Sequence, residues 1–185
     1  MRTCLLALFA FLSATMIGAA QESAKQGHDD MKDCPMHAQH MTQQGQATMQ
    51  HDQDMEHRGN QGMGFAQDKT THHFFLNKDG GAIQVTANSA DDKTSIEQIR
   101  MHLQHISHAF QSGDFNIPMF VHDQTPPGVP VMTKLKDQIH YKYEEVANGG
   151  RVVISSENPE AVSAAHEFLR FQIKEHKTGD SLETK

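Results

Sequence analysis

One unit is written twice in this chain, and that duplication limits the folds open to it more than any other feature. HHFFLNKDGGAIQVTAN begins at His72 and YKYEEVANGGRVVISSEN at Tyr141. In each, a double glycine, Gly80-Gly81 or Gly149-Gly150, separates two short runs rich in β-branched and aromatic residues. That pattern predicts a β-hairpin with the double glycine in its turn. Ile83 and Val85 of the first unit match Val152 and Ile154 of the second. A helical stretch follows each hairpin, from about Thr94 to Phe110 and from Pro159 to about His176.

Periodicity and end signals support both helices. Ile96, Ile99, Leu103, Ile106 and Phe110 form one apolar stripe, and Ala161, Val162, Ala165, Phe168, Leu169 and Ile173 form the other. Thr94 and Glu97 have capping-box spacing, which places the first N-cap at Thr94. Asn158 before Pro159 marks the second start. The expected fold is therefore α+β: a duplicated ββα unit with a four-stranded antiparallel sheet packed by two helices. The strand order is not legible. Between the units, Pro118, Pro126, Pro127 and Pro130 impose an irregular connection, which a short helix over Val131 to Ile139 would end. A compact domain over residues 69–178 has length enough for one core. Residues 179–185 read as a loose C-terminal tail.

The other end of the chain carries an export signal. Arg2 is followed by an apolar stretch from Leu5 to Ile17 and by the small residues Gly18, Ala19 and Ala20. Residues 1–20 are expected to be a signal peptide, too short for a span. The processed protein is expected to be periplasmic or secreted, with no membrane insertion. Processing removes Cys4 and leaves Cys34 as the single thiol, so no internal disulfide can form. The net charge of -7 argues against nucleic acid and anionic membranes as partners and suits cations.

Residues 21–68 hold almost no Leu, Ile, Val or aromatic residue and are expected to be a disordered His/Met-rich tail. Within them, residues 28–63 carry five histidines, six methionines and one cysteine. Thioethers and thiolates select Cu(I), and imidazoles suit Cu(II), zinc and nickel. Copper is the expected metal, with zinc or nickel as alternatives. Cys34, Met36 and His37 place three soft or borderline donors within four residues. His40, Met41, Met49, His51, Met55, His57 and Met63 continue the pattern, without fixed zinc-finger spacing.

The folded domain offers its own donors. His102 and His105 lie side by side on the first helix and could share an ion, whereas His108 points away. His72 and His73 alternate across a strand, so only one of them can join a given site. Met119 and His122 are spaced to serve one soft-metal pocket, although Met119 could equally fill the core. His140, His166 and His176 are scattered and are expected on the surface or at the core's flank.

Cys34-Pro35-Met36-His37 resembles the core of the small heavy-metal-binding segments attached to bacterial copper efflux proteins. The phrases THHFFL, DGGAIQVTAN, IRMHLQHI, PPGVPVM, GGRVVISS, FLRFQI and HKTGD make the domain similar to a group of uncharacterised exported bacterial proteins. Both resemblances imply metal handling or resistance. The expected role is copper or soft-metal binding and buffering, with an envelope metal transporter or a second copy of the chain as possible partners. The alternatives are a non-catalytic interaction module of the bacterial envelope and a small enzyme. The chain has no HExxH, no phosphate-binding glycine loop and no Gly-x-Ser-x-Gly elbow, which disfavours the last.

Overall fold

The computed structural model describes the chain from Pro35, with side chains from Gln46, to Lys185. The expected signal peptide, Cys34 and the first part of the expected tail lie outside the described residues. The elements are α1 (Pro35–Met63), β1 (Thr70–Asn77), β2 (Gly80–Ala87), α2 (Lys93–Ser112), α3 (Asn116–His122), α4 (Val129–Lys134), β3 (His140–Val146), β4 (Gly149–Ser155) and α5 (Pro159–Glu175). The four strands form one antiparallel sheet in the order β1-β2-β4-β3. This is the expected α+β architecture, a duplicated ββα arrangement with helices packed on the sheet.

The two units meet at the sheet centre. Ile83 and Val152, which match in the repeat, pair directly across β2 and β4. Each helix packs on the other unit's hairpin: α2 lies on β4 and β3, and α5 lies on β2 and β1. Neither ββα unit therefore closes its own core. Glycine permits the close approach. A Cβ on Gly81 would stand 2.4 Å from Leu169 Cδ1, and one on Gly150 would stand 3.3 Å from Leu103 Cδ1. The double glycines, expected in the hairpin turns, instead open the second strands, and the turns are Lys78-Asp79 and Ala147-Asn148.

The apolar stripes are buried as expected, with Ile99, Leu103, Phe168 and Leu169 among the least exposed residues. Asn158 caps α5 by accepting from the Glu160 N–H at 2.8 Å. The first cap is Asp92 rather than Thr94, because the Asp92 carboxylate accepts from both Ser95 N–H and Ser95 Oγ. The connection is more helical than its prolines imply. Pro118 sits early in α3, and Pro130 sits at the start of α4. The expected helix over 131–139 is split into α4 and a single 3-10 turn, Lys136–Gln138.

Two expectations of disorder are corrected. Residues 35–63 are helical, and from Gln44 onward the chain belongs to the same compact unit as the sheet. Met55, Gly59 and Met63 are buried along one face of α1, and Phe65 is buried just after it. Methionine supplies the apolar surface that Leu, Ile and Val usually supply. The C-terminal residues are also tied down. Asp180 Oδ2 accepts from the Phe74 N–H at 2.9 Å, and the Lys185 N–H donates to Leu76 O at 3.1 Å. These bonds cover the exposed edge of β1.

Candidate functional site

Four imidazoles border one small cavity: His72 of β1, His102 of α2, His122 of α3, and His176 just after α5. Met63, the last residue of α1, borders it too, and the remaining wall is largely aliphatic and aromatic. The volume is about 60 Å³. A site for an organic cofactor needs roughly 300–1,000 Å³. This space suits an ion or a few waters.

The rings form a connected set. His72 and His176 stack, with centroids 5.4 Å apart and planes 8° from parallel. His122 meets His176 edge-on at 5.1 Å. Phe65 stacks near His72 at 6.0 Å and contacts the His102 ring edge at 5.5 Å, closing the cluster on the α1 side.

Burial keeps these rings neutral. It lowers His72 to about 4, with His73 adding to the effect. It lowers His102 to about 4, helped by His72 and His105, and His176 to about 3, helped by His72 and His122. His122 is also lowered by burial, against the opposing pull of Gln172 and Glu175. A neutral imidazole carries a free lone pair and is the form that binds metal.

Two of those lone-pair positions are exceptional. His122 Nε2 lies 3.0 Å from Gln172 Oε1. A carbonyl oxygen only accepts, so Nε2 carries the hydrogen and Nδ1 the lone pair. His122 Nδ1 is buried without a hydrogen-bond partner. Glu175 Oε2 stands 3.8 Å from it, beyond hydrogen-bond length but close enough to favour a cation there. His72 keeps some exposed surface as a residue, yet its Nε2 is likewise buried and unpartnered. Gln172 Nε2 and the Tyr141 and Tyr143 hydroxyls are the other such atoms among the described residues. Native folds leave few buried polar atoms unpaired, so three on one cavity mark it as a place for a bound water or ion.

Among the described residues, no three His, Cys, Asp or Glu side chains stand close enough to enclose one ion together. The arrangement is therefore no ready-made tetrahedral cage of the zinc type. It offers imidazole pairs and a thioether bordering one cavity, a donor set for a soft ion that accepts low coordination.

The candidates read from sequence divide sharply. His72, His102 and His122 come together on the cavity. His105 is exposed and does not border it, although it lies close enough to His102 to help keep that ring neutral. Met119 does not border it either, although His122, three residues on, does. On α1, Met36, His37, His40 and Met41 lie in its first part. Met49 and His57 are exposed, Met55 is buried, and His51 bonds Glu175 at 3.2 Å. His73 faces the other way and lies 2.9 Å from Asp180 Oδ1.

His176 is the residue the sequence reading missed. It was expected on the surface or flank and instead joins His72 and His122 at the centre of the cluster. A signal was present. Counted from the caps Asp92 and Asn158, Gln172 and His176 occupy the steps on α5 that Ile106 and Phe110 occupy on α2. Polar residues at core steps in only one of two repeats mark that half as the special one.

Compared with known proteins, the chain matches no family model, no curated protein and no solved structure. Among the described residues, no helix is long and apolar enough to cross a membrane.

Proposed function

We propose that this is an exported copper-binding protein that holds a Cu(I) ion in the cavity bordered by Met63, His72, His122 and His176, and that it serves metal buffering or resistance in the bacterial envelope. One observation carries the reading. Neutral imidazoles and a thioether share a cavity of about 60 Å³ in which His72 Nε2 and His122 Nδ1 have no hydrogen-bond partner. Ligation would give either nitrogen the partner it lacks. The apolar wall favours an ion of low charge, and the thioether favours a soft one. Cu(I) meets both conditions better than Zn(II) or Ni(II).

The His/Met-rich segment fits the same role as a capture device. Cys34, Met36, His37, His40 and Met41 precede the domain, and the exposed Met49 and His57 follow on α1. Weak, exchangeable ligands there would gather ions and pass them to the buried site or to an envelope metal transporter. The signal-like first 20 residues support a site of action in the periplasm or outside the cell.

The deciding experiment is an anaerobic Cu(I) titration of the chain against a competing chromophoric chelator. The wild type is expected to retain one equivalent more tightly than the rest. The double variant His72→Ala, His176→Ala is expected to lose that equivalent and keep the weaker ones. Equal tight stoichiometry in both proteins would remove the buried site from the proposal.

A further inference from the structure

A second, polar pocket of about 250 Å³ lies against the first and is lined by Gln67, Thr70, Thr71, His72, His176 and Thr178. His72 and His176 border both spaces. Their stacked rings therefore form a shared wall between a pocket of hydroxyl and amide groups and the apolar cavity. We propose that this pocket is the vestibule through which the ion reaches the buried site, and that the His72–His176 pair is the gate that takes the ion from it.

The chemistry changes in the right order along that route. Thr and Gln oxygens can replace part of an ion's hydration without holding it firmly. The paired imidazoles come next and bind a soft ion more strongly. The cavity beyond adds Met63 and His122 and is walled mostly by apolar side chains. His122 itself is almost fully buried, against Phe171. The rings need only rotate to pass the ion, since the stack is held by packing and His72 Nε2 has no hydrogen bond to break.

This inference rests on the Cu(I) reading, and rates separate the two where equilibrium titration cannot. Thr71 is exposed at the vestibule rim, on the edge strand β1, where a large side chain is tolerated. The full chain, loaded with Cu(I), is mixed with excess chromophoric chelator, and release is followed in time. The wild type is expected to show a slow phase that is absent from His72→Ala. Thr71→Trp is expected to slow that phase about tenfold, equivalent to about 1.4 kcal/mol of barrier, with the equilibrium affinity unchanged. Thr71→Lys, which adds charge as well as bulk, is expected to slow it too, and Thr71→Ser is expected to match the wild type. Thermal melts confirm that each variant is folded. An unchanged slow phase in both folded bulky variants overturns the vestibule and leaves the buried site standing. Reduced equilibrium affinity in Thr71→Trp also overturns it, because a route affects rates alone. A wild type without any tightly held Cu(I) overturns the functional reading itself, and the gate with it.

Discussion

The rings of His72 and His176 lie face to face, 5.4 Å apart between centroids, although one comes from an edge strand and the other from the end of the last helix. Two imidazoles stacked in an apolar setting contribute little that two phenyl rings would not contribute better. On α2 the matching core step is Phe110. His176→Phe should therefore leave the metal-free fold intact and raise its stability by about 1 kcal/mol, since an apolar ring removes a desolvated polar group. The same substitution should abolish the tight Cu(I) equivalent. Urea unfolding and Cu(I) titration of one preparation test both halves.

The metal-free protein should weaken in mild acid. In the unfolded chain the histidines take up protons near pH 6.5. In the folded chain burial holds His72 and His102 to about 4 and His176 to about 3. The unfolded state thus binds more protons between those limits, and stability falls as pH drops from about 6.5 toward 4. One such group accounts for a loss on the order of 2–3 kcal/mol across that window, and coupling makes the sum less than additive. Urea midpoints at pH 7.5 and pH 5 measure the slope. His72→Phe should flatten it, and an equal slope in that variant would contradict the assignment.

Met63 tests the sulfur. It is buried at the end of α1 and borders the cavity. Met63→Leu conserves volume and should cost less than about 1.5 kcal/mol of stability. It removes the thioether, so Cu(I) affinity should fall about tenfold, the equivalent of about 1.4 kcal/mol. Zn(II) affinity should stay where it was, because thioethers contribute little to zinc. Parallel titrations with both ions decide it.

Asp180 should prove more important than its place near the chain end suggests. Burial raises its pKa, but hydrogen bonds from Thr178 Oγ1, the Phe74 N–H and His73 outweigh that and hold it below the usual carboxylate value. Asp180→Ala leaves a β1 N–H unpaired and frees the segment that covers the strand edge. The expected cost is about 1–3 kcal/mol. Hydrogen exchange should show faster exchange at Phe74, and the exposed edge should make the variant more prone to associate.

Much of the framework was legible because it rests on local rules. The two hairpins, the apolar stripes and the Asn158-Pro159 start all rest on patterns of a few residues, and the structure follows them. Two local inferences failed for local reasons. Thr94 lost the cap to Asp92, whose ionised carboxylate is the stronger acceptor. Helix α1 was missed because its buried face is built from Met55, Gly59 and Met63 rather than branched aliphatics.

The site was only half legible. His72, His102 and His122 were identifiable as donors by residue type, and the strand period separated His72 from His73. The two ββα units, the faces they bury and the stock of soft ligands all follow from patterns along the chain. Tertiary structure alone decided that α2 and α5 cross onto each other's hairpins, and so that the end of α5 meets β1 and α3. His176 owes its place at the centre to that crossing. Periodicity states which side of an element is apolar, but only the packing of one element on another determines which distant side chains share a cavity.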